Sequence, residues 1–151
     1  MKNLKNMSLM TALITVFTLS FTACGNDDEQ PAKPVINLTE IGHDNSKHVH
    51  PGQDLHLEGD IVAQGLIKRI DIEIHQEEGG SYKIKQSFTE GKYVGVRNVE
   101  FHEHIDIPAN APIGEYHMHF TVTDQCGQQT TVESHLEIIE GNGDEHGHHD
   151  E

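Results

Sequence analysis

The sequence contains no tryptophan, and its other aromatic residues are three tyrosines and five phenylalanines. Glycan-binding surfaces stack sugars on exposed rings, so this scarcity disfavours that function. Basic residues are also few, because 10 lysines and arginines stand against 25 aspartates and glutamates, for a formal net charge of −15. A chain this acidic is not expected to bind nucleic acid or an anionic lipid surface, whereas it should attract cations.

Long apolar runs are also lacking, apart from one near the N-terminus. Residues 7–23 are mostly apolar and follow two lysines, which is typical of an export signal and short for a membrane span. The sequence Phe-Thr-Ala-Cys at 21–24 resembles a bacterial lipobox, which implies removal of residues 1–23 and lipidation of Cys24. The acidic residues 25–29 resemble the surface-export signal of Bacteroidetes lipoproteins. We therefore expect an outer membrane lipoprotein that faces the cell exterior, with plain secretion as the alternative.

Cysteine is scarce as well, with two residues in the chain. Lipidation of Cys24 would leave Cys126 as the only other cysteine, with no disulfide inside the chain. Cys126 is then either a soft metal ligand or redox thiol, or a small structural residue in the core or a turn.

Composition divides the chain into four segments. A lipoprotein signal peptide covers 1–23 and an acidic tether covers 24–33. Residues 34–140 alternate between apolar and polar positions and are numerous enough for one domain with a modest core. Residues 141–151 contain mainly histidine, glycine and acidic residues, a composition that predicts a disordered tail, either solvated or metal-capturing.

The alternation within 34–140 predicts β-strands and no convincing helix. Residues 53–63 place Leu55 and Leu57 on one face and His56 and Glu58 on the other. Similar segments, separated by turn residues, lie at 35–41, 66–75, 82–88, 96–107, 115–123 and 130–139. About seven such strands predict an all-β fold, an immunoglobulin-like antiparallel β-sandwich.

Two stretches of sequence resemble known families. Residues 107–116, with their prolines and the Gly-Glu-Tyr that ends them, are similar to a corner of bacterial immunoglobulin-like domains. The whole of 34–140 resembles an uncharacterised immunoglobulin-like lipoprotein family of Bacteroidetes, a domain of unknown function, through 54–58, 70–75 and 116–124. The resemblance implies fold and location but supplies no established activity, so function must be argued from the residues.

Histidine is the residue in excess, with 13 copies. Random placement would give roughly one His-x-His pair on a strand-like spacing, yet there are four: His48/His50, His102/His104, His117/His119 and His146/His148. Residues i and i+2 of a strand point to one face about 6.5–7 Å apart. Two imidazoles so placed can share a metal ion, and imidazole suits zinc, copper, iron and nickel.

The strand histidines are expected to form two clusters, because an immunoglobulin-like strand order brings their strands together. One sheet should carry on its outer face His75, His117, His119 and His135. The other sheet should carry His56, His102 and His104, with His48 and His50 in the approach to its strand.

The last hairpin gives a sharper expectation. If the apolar positions of both strands are to share a face, the loop must have an odd number of residues. A three-residue loop, 125–127, sets His117 opposite His135 and His119 opposite Glu133, whereas a five-residue loop sets His119 opposite His135. Either register predicts three converging imidazoles with a carboxylate beside them.

These patterns predict a lipid-anchored surface module that captures or buffers a transition metal, Zn²⁺ or alternatively Cu²⁺. Its partners would be the outer membrane, through the N-terminal lipid, and a metal transporter or another surface protein. The alternative is an immunoglobulin-like interaction or spacer domain that binds protein or glycan without metal. An enzyme is not expected, because no nucleophile motif, paired acid or enclosing lid is present in the sequence.

Overall fold

The computed structural model describes residues 30–77 and 79–141. The segments predicted as a signal peptide, most of the predicted acidic tether and nearly all of the histidine-rich tail lie outside these residues. Within the described residues, one single-turn 3₁₀ helix spans His43–Asn45. The strands are β1 (Val35–Ile41), β2 (His48–Val49), β3 (Asp54–Val62), β4 (Ile67–Gln76), β5 (Lys83–Phe88), β6 (Asn98–Asp106), β7 (Gly114–Asp124) and β8 (Gln129–Ile138).

The strands form two sheets, which confirms the prediction of an all-β sandwich. One sheet has the order β1-β3-β6 and the other has the order β2-β8-β7-β4-β5. All neighbours are antiparallel except β2, which runs parallel to β8 over two residue pairs. This short strand is the difference from the predicted set, because two residues are too few to show an alternating pattern.

The core lies between the sheets, where the apolar side of each strand faces inward. Leu55 and Leu57 of β3 and Phe120 of β7 are fully buried. Phe101 of β6 packs edge-to-face on Phe120 across the sheets, with ring centroids 5.0 Å apart. Because period-2 alternation sends one set of side chains into this core, the intervening polar side chains must point outward.

The corner before β7 is held by Tyr116, whose buried hydroxyl donates a 2.7 Å hydrogen bond to the Pro112 carbonyl. A tyrosine bonded to backbone a few residues upstream is a recurrent corner device of immunoglobulin-like sandwiches. It fixes the start of β7 and therefore the positions of the histidines that follow.

The β7–β8 hairpin has the three-residue loop, the shorter of the two lengths that the sequence allowed. The Asp124 N–H bonds to the Gln128 carbonyl at 3.0 Å, and Gly127 has a φ of 84°, which favours glycine. The resulting register sets His117 opposite His135.

Candidate metal centres

Two groups of three histidines lie on the outer faces of the two sheets. We call His56, His102 and His104 triad A, and His75, His117 and His119 triad B. In each triad, one possible ligand atom from each residue lies within 4.8 Å of those from the other two. That separation lets one metal ion reach all three with small side-chain adjustments, since zinc–nitrogen bonds are about 2.0–2.1 Å long.

Triad A is assembled by the β3–β6 register. His56 lies opposite His104, and Glu58 lies opposite His102. The residues before and after His56 are buried core leucines, so His56 must face outward. Its ring stacks on His104, with centroids 4.9 Å apart and planes inclined by 19°.

Each imidazole of triad A has a carboxylate at its Nδ1 atom. Glu40 lies 3.1 Å from His56 Nδ1, and Glu58 lies 2.9 Å from His102 Nδ1. Asp54 forms the third such pair with His104. An ionised carboxylate can only accept, so each contact favours hydrogen on Nδ1, and in a neutral ring Nε2 then has the lone pair. A carboxylate behind a histidine is also the usual support of a metal-bound imidazole, because it fixes the ring and raises its basicity.

The Nε2 atom of His56 is buried and has no hydrogen-bond partner. The Glu58 carboxylate oxygen lies 3.5 Å away, which is close enough for attraction between charges but outside hydrogen-bonding geometry. Buried polar nitrogens are normally satisfied, so an unpartnered one within a histidine cluster is consistent with a site for a ligand.

Glu40 reaches triad A because of a β-bulge. The β1–β3 register shifts between Leu38 and Glu40, so Glu40 lies opposite Glu58. Without the extra residue Glu40 would pair with inward-facing Leu57, so the bulge turns it to the outer face. Burial acts to raise the pKa of Glu40, but hydrogen bonds from His56 and from the Asp44 N–H outweigh burial and lower the pKa below its ordinary value.

Triad B is assembled by the β4–β7 register, which sets His75 opposite His117 and Glu73 opposite His119. The Nε2 atoms of His75 and His119 lie 3.0 Å apart. Two ligands of a tetrahedral zinc ion are about 3.3–3.4 Å apart when each bond is about 2.0–2.1 Å. These two nitrogens therefore already lie near the spacing that a shared ion requires.

The other ring nitrogens of triad B are held by acceptors. His75 Nδ1 lies 3.1 Å from the Gln76 carbonyl, and His119 Nδ1 lies 3.2 Å from a Glu133 oxygen. The Gln76 carbonyl favours hydrogen on His75 Nδ1, so His75 Nε2 accepts the hydrogen bond from His119 Nε2 in this arrangement. A metal ion bound between the two Nε2 atoms would replace that hydrogen. Glu133 also lies 3.5 Å from His117 Nε2, so it can serve as a ligand or as support for one.

The third imidazole of triad B comes from β4 and not from β8. His135 faces His117 across the hairpin as expected, but its ring stacks on His117 with centroids 5.0 Å apart. Its Nδ1 bonds to Glu77, and 73% of its side chain is exposed. His135 thus lies beside the triad and not within it.

His48 and His50 also lie outside both triads, but they border triad A. Together with the triad they line a cavity of about 630 Å³. His48 Nε2 lies 3.6 Å from Glu137, and His50 Nδ1 lies 3.0 Å from the Ile139 carbonyl.

Three carboxylates of triad A were not among the residues predicted from sequence. Asp54 and Glu58 alternate with His56 on one strand face, so a search for acidic neighbours at i±2 could have found them. Glu40 carried no such signal, because its orientation depends on the bulge.

The cysteines differ from expectation in one respect. Cys126 is disulfide-bonded, so its sulfur is not available as a metal ligand, and the expectation of no disulfide is wrong for this structure. Cys24 lies outside the described residues.

Comparison with known proteins gives a family and no activity. No curated protein matches the chain. Within residues 30–77 and 79–141, no helix is long and apolar enough to cross a membrane. The family model described as a domain of unknown function, DUF4625, matches residues 22–139, and the chain belongs to this family.

Proposed function

We propose that the protein is a metal-binding module that takes up Zn²⁺ at triads A and B. The observation that supports this most strongly is the carboxylate at Nδ1 of every imidazole in triad A. On an ordinary strand face, histidines and acids pair in any orientation. Here all three carboxylates lie at Nδ1, an arrangement that favours hydrogen there and would leave the Nε2 atoms available to an ion.

Zinc fits the donor set better than copper does. Three neutral imidazoles with one open position are a common zinc environment. A copper(I) site would be expected to include thioether ligands, but Met118 is fully buried in the core. Cu²⁺ remains the alternative ion, because its intrinsic affinity for imidazole is higher.

We further propose that the module is a lipoprotein, anchored to the outer membrane at Cys24 and facing the cell exterior. The N-terminal segment meets the sandwich at the β7–β8 turn, where Gln128 bonds to the Gln30 side chain and Thr130 bonds to the Pro34 carbonyl. Triad B lies toward the other end of β7, since His117 is seven residues before Asp124, about 23 Å along a strand.

Triad A lies toward the same far end. His56 is near the start of β3, whereas Val62 at the end of β3 pairs with Val35, the first residue of β1. Both triads therefore lie roughly 20 Å along their strands from the tethered end. An anchor at Cys24 would leave both metal sites directed away from the membrane, as capture of an external ion and transfer to a surface partner require.

Metal analysis of protein purified without an affinity tag tests this proposal. We expect two zinc ions to bind per chain lacking residues 142–151 at pH 7.5. Replacement of His102 and His104 by alanine should remove one ion, and replacement of His117 and His119 should remove the other. Absence of zinc binding in the unsubstituted protein would favour an interaction or spacer domain.

A further inference from the structure

The cavity beside triad A is lined by three further imidazoles. His43, His48 and His50 line it together with the triad, and its volume is about 630 Å³. A water molecule occupies about 30 Å³ in the liquid. The open position of a zinc ion at triad A would therefore face a space far larger than one water.

Charge limits what can complete the coordination at triad A. The three supporting carboxylates contribute a formal charge of −3, which exceeds the +2 of the ion. Another anionic ligand would add to a site that is already net negative, and like charges repel more strongly away from bulk water. A neutral imidazole would complete the coordination without changing the net charge of the site.

Among the three bordering histidines, His50 is the one whose ring is pre-oriented. Its Nδ1 lies 3.0 Å from the Ile139 carbonyl, which can only accept, so Nε2 carries the lone pair. By contrast, His43 and His48 are exposed. The Nε2 atom of His43 lies 3.5 Å from an Asp44 oxygen, and that of His48 lies 3.6 Å from a Glu137 oxygen.

His50 is also joined to triad A by a tight turn. The Gln53 N–H bonds to the His50 carbonyl at 3.1 Å, and the next residue, Asp54, is the carboxylate partner of His104. This turn sets the distance between His50 and the triad.

We propose that His50 Nε2 is the fourth ligand of the metal ion at triad A, which closes the cavity and makes a four-imidazole site. This inference rests on the proposed function of triad A. The segment before His50 has little regular structure, because β2 has two residues, and the buried Val49 is its one core residue. Asp44, Asn45 and Lys47 before it have positive φ angles, a conformation that costs roughly 1–2 kcal/mol per residue.

Glu40 links this segment to the triad. One of its oxygens accepts hydrogen bonds from the Asp44 N–H at 2.9 Å and from His56 Nδ1 at 3.1 Å. A metal ion on His56 Nε2 draws electron density from the ring and strengthens the bond from Nδ1–H. The ion would thereby change the hydrogen bonding of the Glu40 oxygen, which also accepts from the Asp44 N–H in the segment with positive φ angles.

The two sites would then differ in use. Triad A with His50 would have four protein ligands and no open position, which is typical of sites that retain zinc. Triad B would keep an open position for exchange. The module would retain the ion at triad A and exchange the ion at triad B.

The test counts imidazoles at triad A by zinc X-ray absorption in the full-length chain. Triad B is removed by His75→Ala and His119→Ala, and the three tail histidines are replaced by asparagine. We expect four imidazoles in this parent and three after His50→Ala, with zinc affinity at least about tenfold weaker, the lower range of losses for groups that support a metal. His48→Ala is the matched control and should retain four.

Three imidazoles in the parent would overturn the assignment, as would loss of one in the His48→Ala variant and none in the His50→Ala variant. Because the parent count needs no change at His50, the result does not depend on how that variant folds. Three imidazoles in the parent would leave metal binding at triad A intact. A parent that binds no zinc would instead overturn the proposed function of triad A, and the assignment of His50 with it.

Discussion

Replacement of Glu58 by glutamine should weaken zinc binding at triad A by about 10–100-fold, the range found when a supporting group behind a metal ligand is removed. This corresponds to about 1.4–2.7 kcal/mol of binding free energy. The reason is that a Glu58 carboxylate oxygen lies 2.9 Å from His102 Nδ1, where its negative charge attracts the ring N–H. Glutamine is similar in size but has no charge to orient that ring and raise its basicity. The free energy of unfolding should change by less than about 1 kcal/mol, because solvent-accessible ion pairs contribute little.

The control is Glu100→Gln. Glu100 precedes His102 by two residues on the same strand, so it lies on the same face, and its replacement removes the same charge. Competition with a zinc chelator, in a background lacking triad B, measures both affinities. We expect a change of less than about threefold for Glu100→Gln, since exposed charges at longer range are screened. Equal losses in the two variants would refute the orientation argument and leave only a general effect of acidic charge.

Four other outcomes follow from the account. Zinc should bind at pH 7.5 and its binding should be lost below about pH 6, because imidazole must be neutral to bind and an ordinary histidine titrates near 6.5. Unchanged binding at pH 5 in a calorimetric titration would mean that carboxylates are the ligands. Truncation after Gly141 should leave the tightest site intact and remove only weaker ones by the same assay, since the strand histidines are held in place by the sheets. Hydrogen bonds from Lys85 and Lys83 lower the pKa of Glu73 to about 2. The stability that these bonds contribute is therefore present above the ordinary pKa of 4.5 and is lost as the pH falls toward 2. The difference in urea midpoint between the wild type and Glu73→Gln should shrink over that pH range. Mass spectrometry of the mature N-terminus should find a lipid on Cys24, and an unmodified residue there would contradict the anchor.

The fold could be predicted from sequence because one face of nearly every strand is apolar. Leu55 and Leu57 fix which way β3 faces. The requirement for an odd loop length limited the last hairpin to two registers, and the structure has the one with His117 opposite His135. The strand that escaped prediction, His48–Val49, is stabilised by pairing with β8 and not by a pattern of its own. Such a strand depends on tertiary contacts that no local window of sequence contains.

The composition of the sites was predictable only in part. Strand order alone placed His117 between His75 and His135, one on each neighbouring strand. Which neighbour joins the triad depends on side-chain rotamers and on competing partners, here Glu77 for His135. The support of His56 by Glu40 depends on a bulge, which shifts pairing by one residue without a sequence signal.

The most direct test of the central claim is zinc stoichiometry in four proteins truncated after Gly141. The unsubstituted protein should bind two ions, the variant without His102 and His104 should bind one, and so should the variant without His117 and His119. The protein with all four replaced should bind none while it keeps its fold by circular dichroism. Two ions retained by the fourfold variant, or none bound by the unsubstituted protein, would show that the triads are only polar faces of the sheets.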